Sequence, residues 1–187
     1  NRKGYDTLFT KYDSLLNNQL KGKTVLNYIS SHDDGGPFDK ERKRSVESAT
    51  KLLLTQGGAQ IYYGDETART LSATASGDAV LRSFMNWEEV NGKKEILDHW
   101  RKLGSFRKNH NAIGAGRHQK LADTPYTFSR TWNDDQVVVA LDVPAGEQTI
   151  NVGTIFKNGT KVKDGYNGKI YTVQNKSVKV KSTSGVV

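Results

Sequence analysis

Apolar residues recur at helical spacing in three stretches of the chain, which predicts three amphipathic helices. The first covers residues 6–20 and stops at Gly22, and the second covers residues 45–55 and stops at a Gly-Gly pair. The third follows the Asn-Gly turn at residues 91–92. The apolar positions are Leu8, Tyr12, Leu15 and Leu16; Val46, Ala49 and Leu53; and Ile96, Trp100 and Leu103. We expect these side chains to pack in a core, because such stripes are far more often core than ligand sites.

Two short β-prone runs flank the second helix. Residues 24–29 are followed by small polar side chains and a Gly-rich loop, and residues 59–63 are followed by Gly-Asp-Glu. The order of strand, acidic loop, helix, strand and acidic loop is that of a βαβ unit. It implies two neighbouring parallel strands joined by a right-handed crossover.

A His-Asp pair, His32 and Asp33, stands directly after the first of these strands. Carboxylates at the carboxyl ends of parallel strands are where a (β/α)₈ barrel places its catalytic groups. An alternative is that Asp33 caps the next helix, aided by Pro37 and Asp39. The second acidic loop is equally open, since Asp65 and its neighbour could line a cleft or cap a turn.

The pattern changes near Gly116 to short β-runs separated by turn residues. The runs are residues 126–132, 137–143, 148–152, 169–173 and 177–181. An Asn-Asp-Asp-Gln turn at residues 133–136 joins the first two runs as a hairpin. Short strands at this spacing predict an antiparallel β-sandwich.

Composition and charge argue against a nucleic-acid site, a membrane span and a metal site. The net charge of +8 is spread along the chain, with 19 basic and 14 acidic residues before residue 120 and 9 and 6 after it. The densest basic cluster, residues 40–44, begins a helix and is better explained as a solvated face than as a nucleic-acid site. No run approaches the ~20 apolar residues of a membrane span. His99, His110 and His118 lack metal-ligand spacing, so we expect no metal site.

Four segments in order resemble the α-amylase family, glycoside hydrolase family 13. They are NYISSHDD at residues 27–34, GAQIYYGDE at 58–66, DAVLRSFMNW at 78–87 and LGSFRKNHNAIGAG at 103–116. The chain departs from the family where Ser31 replaces the usual Asn before His-Asp and where Ala79 replaces a frequent Pro. Neither change removes a charged group.

The resemblance implies a fold and two domains. Residues 1–118 would be the C-terminal part of a (β/α)₈ TIM barrel, with strands 7 and 8 and their helices. Residues 119–187 would be the antiparallel β-sandwich domain that follows it. Strands cut off from the rest of a barrel leave open edges and apolar faces, so self-association through them is a further expectation.

The resemblance also implies roles for four residues. Asp33 would be the catalytic carboxylate that stabilises the oxocarbenium-like transition state. His32, Asp78 and Arg82 would bind the sugar hydroxyls. For the last two, a surface ion pair between residues i and i+4 is the competing interpretation. No metal is assigned to this chain and no cofactor is expected, although the parent enzyme could hold calcium.

The expected function is that of a fragment of a retaining glycosidase acting on α-glucans such as starch, glycogen and maltooligosaccharides. We find no candidate for the nucleophile or the acid/base, so the fragment alone should be inactive. The family favours an extracellular or periplasmic location. Two alternatives stay open: a transglycosylase or isomaltase of the same family, and a non-catalytic carbohydrate-binding fragment. The binding fragment would need an aromatic row on one sheet face, for which the candidates are Tyr126, Trp132, Tyr166 and Tyr171.

Overall fold

The computed structural model describes residues 3–33 and 35–187, so Asp34 of the His-Asp loop lies outside the described residues. The chain divides into two compact units. One is Thr24–Ser105, and the other joins the chain up to Lys23 with Phe106–Val187. In this division the first helix groups with the β-rich part, and the two domains inferred from the resemblance stay a prediction.

The unit Thr24–Ser105 contains the predicted βαβ arrangement. Strand β1, Leu26–Asn27, pairs in parallel with β2, Gly58–Ala59, and helix α2, Ser45–Leu54, connects them. Each strand has two residues, much shorter than the predicted runs, and the pairing ends with the hydrogen bond from the Gln60 N–H to the Asn27 carbonyl at 2.8 Å. The apolar side chains along these runs are largely exposed: Leu26, Tyr28, Ile61 and Tyr63.

Helix α2 confirms one predicted helix but turns a different face inward. Ala49 and Leu53 are buried as expected, while Val46 is 46% exposed. Ser45 and Ser48 are buried instead. After β2 the chain forms two 3-10 helices, Gly77–Leu81 and Trp87–Lys93, and then α3, Lys94–Asn109.

Helix α3 buries Trp100 and Leu103, as the spacing predicts. Helix α4, Asn111–Ala115, follows it and leads into the β-rich part. In the other unit, helix α1, Tyr5–Asn17, buries Tyr5 and Phe9. The predicted stripe of Leu8, Tyr12, Leu15 and Leu16 is only half-buried.

The aromatic side chains of α1 explain that difference. The Phe9 ring lies 5.1 Å from the Phe128 ring, and Tyr5 stacks at 6.4 Å from Tyr126. Aromatic side chains bury the largest apolar areas, so they decide which face of the helix packs against the strands.

All strand pairings after residue 116 are antiparallel and form three small sheets. The first has the order β3-β4-β5, the second pairs β6 with β9, and the third pairs β7 with β8. The strands are β3, Arg117–Ala122; β4, Tyr126–Trp132; β5, Asp135–Leu141; β6, Gly146–Asn151; β7, Lys161–Lys163; β8, Ile170–Thr172; and β9, Ser177–Ser182. A valine-rich core is formed by side chains of β5, β6 and β9 and by Val173, which directly follows β8; it includes Ala140, Ile150, Val178 and Val180.

Two of these strands were missing from the sequence analysis. Strand β3 has no hydrophobic alternation, because it lies at the edge of its sheet and most of its side chains are exposed or half-buried. Strand β7 offers a single apolar residue, Val162, between two lysines. By contrast, β4 spans the predicted residues 126–132, and the turn to β5 has Asn133 at φ 50°.

Candidate active site

Three of the four predicted site residues come together in the loops after β1 and β2. The Arg82 Nη2 atom donates to Asp33 Oδ1 at 2.8 Å, and His32 Nε2 lies 2.9 Å from Asp33 Oδ2. Arg82 Nε also approaches the His32 carbonyl at 3.4 Å. Arg82 is 49 residues from Asp33 in sequence, so the fold and not local spacing creates this cluster.

All three side chains are open to solvent. The exposed fraction is 60% for His32, 62% for Asp33 and 52% for Arg82. A carboxylate has about four lone-pair positions, and contacts among residues 3–33 and 35–187 use one on each Asp33 oxygen. The remaining positions can accept hydrogen bonds from a bound molecule.

The capping interpretation of Asp33 fails, because another residue occupies that position. Asp39 Oδ2 accepts a hydrogen bond from the Arg44 backbone N–H at 2.8 Å, at the start of α2. It also accepts from Ser45 Oγ at 3.3 Å. Asp39 thus holds the helix start, and its carboxylate is buried.

Asp78 lies apart from this cluster. It is exposed in the first turn of the 3-10 helix Gly77–Leu81 and has no side-chain hydrogen bond or ion pair within residues 3–33 and 35–187. The competing interpretation of an ion pair between Asp78 and Arg82 is also wrong, because Arg82 pairs with Asp33. Its role as a sugar ligand stays a prediction.

The segment that carries Arg82 is fixed by a buried arginine that the sequence analysis missed. Arg69 is 1% exposed and donates through Nη2 to the Leu81 carbonyl at 2.9 Å. Its Nη1 donates to the Ser83 carbonyl at 3.0 Å and to the Ser83 hydroxyl. The backbone on both sides of Arg82 is therefore attached to one guanidinium.

Two tyrosines support the same segment. The Tyr62 hydroxyl donates to the Leu81 carbonyl at 3.0 Å, and the Tyr63 hydroxyl donates to the Ser83 carbonyl at 2.8 Å. The Arg69 guanidinium lies 4.1 Å from the centre of the Tyr63 ring. Gly64 allows this packing, since its φ is 87° and a Cβ there would come within 2.6 Å of the Arg69 Cβ.

The loop that carries Asp33 is fixed from the other side by Asp65. Ser30 Oγ donates to Asp65 Oδ1 at 2.5 Å, and Arg42 Nη1 donates to the same oxygen at 2.9 Å. Arg42 also donates through Nε to the Arg69 carbonyl at 2.8 Å. Burial raises the pKa of the Asp65 carboxyl, and the hydrogen bonds from Ser30 and Arg42 oppose that shift.

Asp65 is therefore part of the support of the site and does not line a cleft. Its side chain is 1% exposed. Its neighbour Glu66 accepts a hydrogen bond from the Gly64 N–H at 2.9 Å, which caps the turn. Sequence reasoning had no signal for a buried Arg42 or Arg69, because arginines are rarely buried and nothing in the pattern marks these two.

The aromatic row required for a carbohydrate-binding β domain is absent among the described residues. Tyr126 is 3% exposed and stacks on α1, and Tyr171 packs against the valine-rich core. Trp132 alone of the four candidates is an exposed side chain, at 46%. One exposed ring does not make the planar platform that sugar stacking requires.

Comparison with known proteins identifies the family. No family model matches the chain. The chain is 41% identical over 133 residues to the periplasmic α-amylase of Escherichia coli K12, an alignment that covers 70% of this chain and 19% of that protein. The chain belongs to the α-amylase family. It spans about a fifth of the length of that relative.

Solved structures of amylase-type enzymes share the fold. The α-amylase of Geobacillus thermoleovorans, crystallised with acarbose, has a TM-score of 0.67 at 17% identity, covering 94% of this chain and 39% of that one. A cyclomaltodextrin glucanotransferase has a TM-score of 0.63 at 20% identity, covering 95% and 39%. In this α-amylase family chain, no helix among the described residues is long and apolar enough to cross a membrane.

Proposed function

We propose that this chain is the C-terminal part of the catalytic barrel, with the following β-sandwich domain, of an enzyme that hydrolyses α-glucans. One observation carries the proposal: Asp33, His32 and Arg82 converge, although 49 residues separate the carboxylate from the guanidinium. The convergence occurs in the loops after two parallel strands, the edge at which barrel enzymes keep their chemistry.

Asp33 stabilises the transition state in this proposal. Cleavage of the glycosidic bond passes through a species with positive charge on the sugar ring. A carboxylate held in place beside the ring stabilises that charge more in the transition state than in the ground state. Arg82 and His32 hold the two oxygens of Asp33, one each, and so set the direction of its free lone pairs.

The neighbouring groups bind the sugar. Arg82 presents a planar fork with further N–H donors beyond the one used by Asp33, which suits vicinal hydroxyls. His32 supplies a ring nitrogen at the same subsite. Asp78, exposed and unpaired among the described residues, is assigned to a hydroxyl at the rim.

The nucleophile and the acid/base belong to the part of the relatives that this chain does not align with. A retaining enzyme needs both carboxyl groups about 5–5.5 Å apart across the bond, in addition to Asp33. The substrate class follows from the family: starch, glycogen or maltooligosaccharides. The periplasmic relative in E. coli supports a periplasmic or extracellular location.

Replacing Asp33 in the full-length protein tests the proposal. Asp33→Asn keeps the size of the side chain and removes the charge, so we expect kcat on a chromogenic maltooligosaccharide to fall by about 10²–10³. The thermal unfolding midpoint should stay unchanged because the side chain is exposed. Asp39→Asn is the matched control, and there the unfolding midpoint should fall. A near wild-type kcat in Asp33→Asn would remove Asp33 from the site.

The 187-residue chain by itself should not turn over the same substrate. Purified chain is incubated with the chromogenic maltooligosaccharide beside the full-length enzyme. Turnover that purifies with the chain and disappears in Asp33→Asn would place the nucleophile and acid/base within these residues, contrary to the proposal.

Transfer to a sugar hydroxyl in place of water is the second candidate. The shared fold with a cyclomaltodextrin glucanotransferase favours it. Product analysis separates the two, since hydrolysis lowers the chain length of every product, whereas transfer also yields longer or cyclic glucans.

A further inference from the structure

Within residues 120–187, the positive charge is concentrated in the last part. Residues 153–187 contain seven lysines and one acidic residue, whereas residues 120–152 contain two basic and five acidic residues. The net charge is +6 for residues 153–187 and −3 for residues 120–152, and the sum of +3 for the two segments conceals this difference. The lysines are Lys157, Lys161, Lys163, Lys169, Lys176, Lys179 and Lys181.

These lysines are exposed and unneutralised. All seven are exposed side chains, and none of them forms an ion pair with a residue that the structure describes. The single acid, Asp164, is buried and accepts the backbone N–H groups of Tyr166 and Asn167 at 2.8 and 3.4 Å. The negative charge of Asp164 is therefore stabilised by backbone N–H groups of its own turn.

The β7–β8 hairpin places two of these lysines beside an exposed aliphatic side chain, and a third lysine adjoins it in the chain. Lys163 stands directly across the ladder from Ile170, and Lys161 across from Thr172. Residues i and i+2 share a face and lie about 7 Å apart, so Lys161, Lys163 and Ile170 point to the same side. Lys169 adjoins Ile170 in the chain. It lies one residue outside β8, so the alternation does not place it on this side, but it is exposed and its long side chain borders the face. We call Lys161, Lys163 and Ile170, with the adjoining Lys169, the lysine face.

The opposite side of the hairpin is already packed. Val162 and its cross-strand partner Tyr171 lie against the valine-rich core. The lysine face therefore points towards solvent, and Ile170 is 66% exposed. Charges this close are within one Debye length, about 8–10 Å, and repel one another until an anionic partner binds.

We propose that the lysine face docks on an anionic phospholipid surface. Lysine ammonium groups act as point charges that suit lipid phosphates without requiring a shaped pocket. Ile170 decides between partners: an aliphatic side chain gains from entering the headgroup region of a bilayer and gains nothing from a hydrated polyanion. The proposal is independent of the catalytic role of Asp33.

Vesicle binding by the full chain tests the proposal. Co-sedimentation uses phosphatidylcholine vesicles with and without phosphatidylglycerol, over a range of salt. We expect binding only to the anionic vesicles and weaker binding as salt rises. Lys161→Gln, Lys163→Gln and Lys169→Gln together should weaken it about a hundredfold, since each lysine near an anionic leaflet contributes about fivefold.

The matched control removes three lysines elsewhere. Lys21, Lys23 and Lys40 are exposed and have no ion pair within the described residues, so their combined change to Gln alters net charge equally. Binding should then fall far less than in the first triple variant. Equal losses in the two triple variants would show a net-charge effect and overturn the proposal, as would equal binding to neutral vesicles.

Ile170→Thr separates lipid from other polyanions. Threonine keeps the β-branched shape and removes the aliphatic end, so we expect several-fold weaker vesicle binding with unchanged circular dichroism. Heparin should bind less tightly than the vesicles. Unchanged vesicle binding in Ile170→Thr, or tighter binding to heparin or DNA, would replace the lipid by a soluble polyanion.

Discussion

Two aspartate–arginine pairs in the unit Thr24–Ser105 have nearly the same geometry and opposite surroundings. Arg42 donates to Asp65 at 2.9 Å, and Arg82 donates to Asp33 at 2.8 Å. The Asp65 side chain is 1% exposed and the Asp33 side chain 62%. The difference teaches that distance does not reveal the role of an ion pair, whereas solvent access does. The buried pair holds the loops, and the open pair is accessible to the substrate of the proposed function.

The largest expected effect is on stability, from removing one member of the buried pair. Asp65→Ala leaves Arg42 charged and buried, which should cost about 3–5 kcal/mol in the free energy of unfolding. Asp33→Ala, the matched change in the open pair, should cost about 0–1 kcal/mol. Urea denaturation of the 187-residue chain measures both. Comparable losses would break the comparison.

The sequence could predict the residues of the open pair more readily than those of the buried pair, although it did not predict that Asp33 and Arg82 pair. His32 and Asp33 follow a recognisable strand end, and Arg82 lies in a segment that resembles the family. The buried network depends on Ser30, Arg42 and Asp65, which are far apart in sequence and of types that are usually exposed. Only the folded chain shows that they meet.

The elements of the fold also differ in how well the sequence predicts them. Helix α3 is predictable because it buries one regular face. Strand β4 is predictable because it is a continuous β-prone run, and its first five residues are all buried. The parallel pair β1–β2 has the predicted order but only two residues a strand, since parallel strands need cover on both faces and here Leu26 is 59% exposed. Strand β3 gives no alternation because it borders its sheet.

The next effect in size is on catalysis in the full-length protein. Arg82→Lys keeps the charge but loses the fork that reaches both Asp33 and the His32 carbonyl, so we expect kcat/KM to fall about tenfold. Arg101→Lys is the control, because Arg101 pairs with Asp98 at 3.8 Å on an exposed helix face. Steady-state kinetics on maltooligosaccharides measure both, and equal changes would show that Arg82 is an ordinary surface arginine.

The smallest expected effect is on the stability of the fold at acid pH, and it comes from the carboxylate of Glu47. Arg44 donates a hydrogen bond to Glu47 and, with Lys51, lowers the pKa of Glu47 from 4.5 to about 2. The folded state therefore gains stability above the unfolded pKa of 4.5, and loses it as the pH falls towards about 2. The pH dependence that comes from Asp65 has the opposite sign. Burial raises the pKa of the Asp65 carboxyl, so protonation of this group favours the folded state of the protein.

Urea titrations at several pH values measure the Glu47 effect. Glu47→Gln should lose about 0.5–1 kcal/mol at neutral pH, discounted for partial exposure, and nothing near pH 2. The same series on Asp65→Asn should show the reverse dependence. A Glu47→Gln variant with the same deficit at every pH would mean that packing, and not charge, makes the contribution.

The attachment of Arg69 to residues 81 and 83 has a consequence for binding thermodynamics. The backbone around Arg82 is immobilised when the chain folds, so a sugar bound as in the proposed function would not have to order it. The conformational entropy of that segment is already lost, and the enthalpy of each new hydrogen bond is not offset by fresh ordering. The proposed subsite is thus preorganised by a buried residue outside the cluster of His32, Asp33 and Arg82.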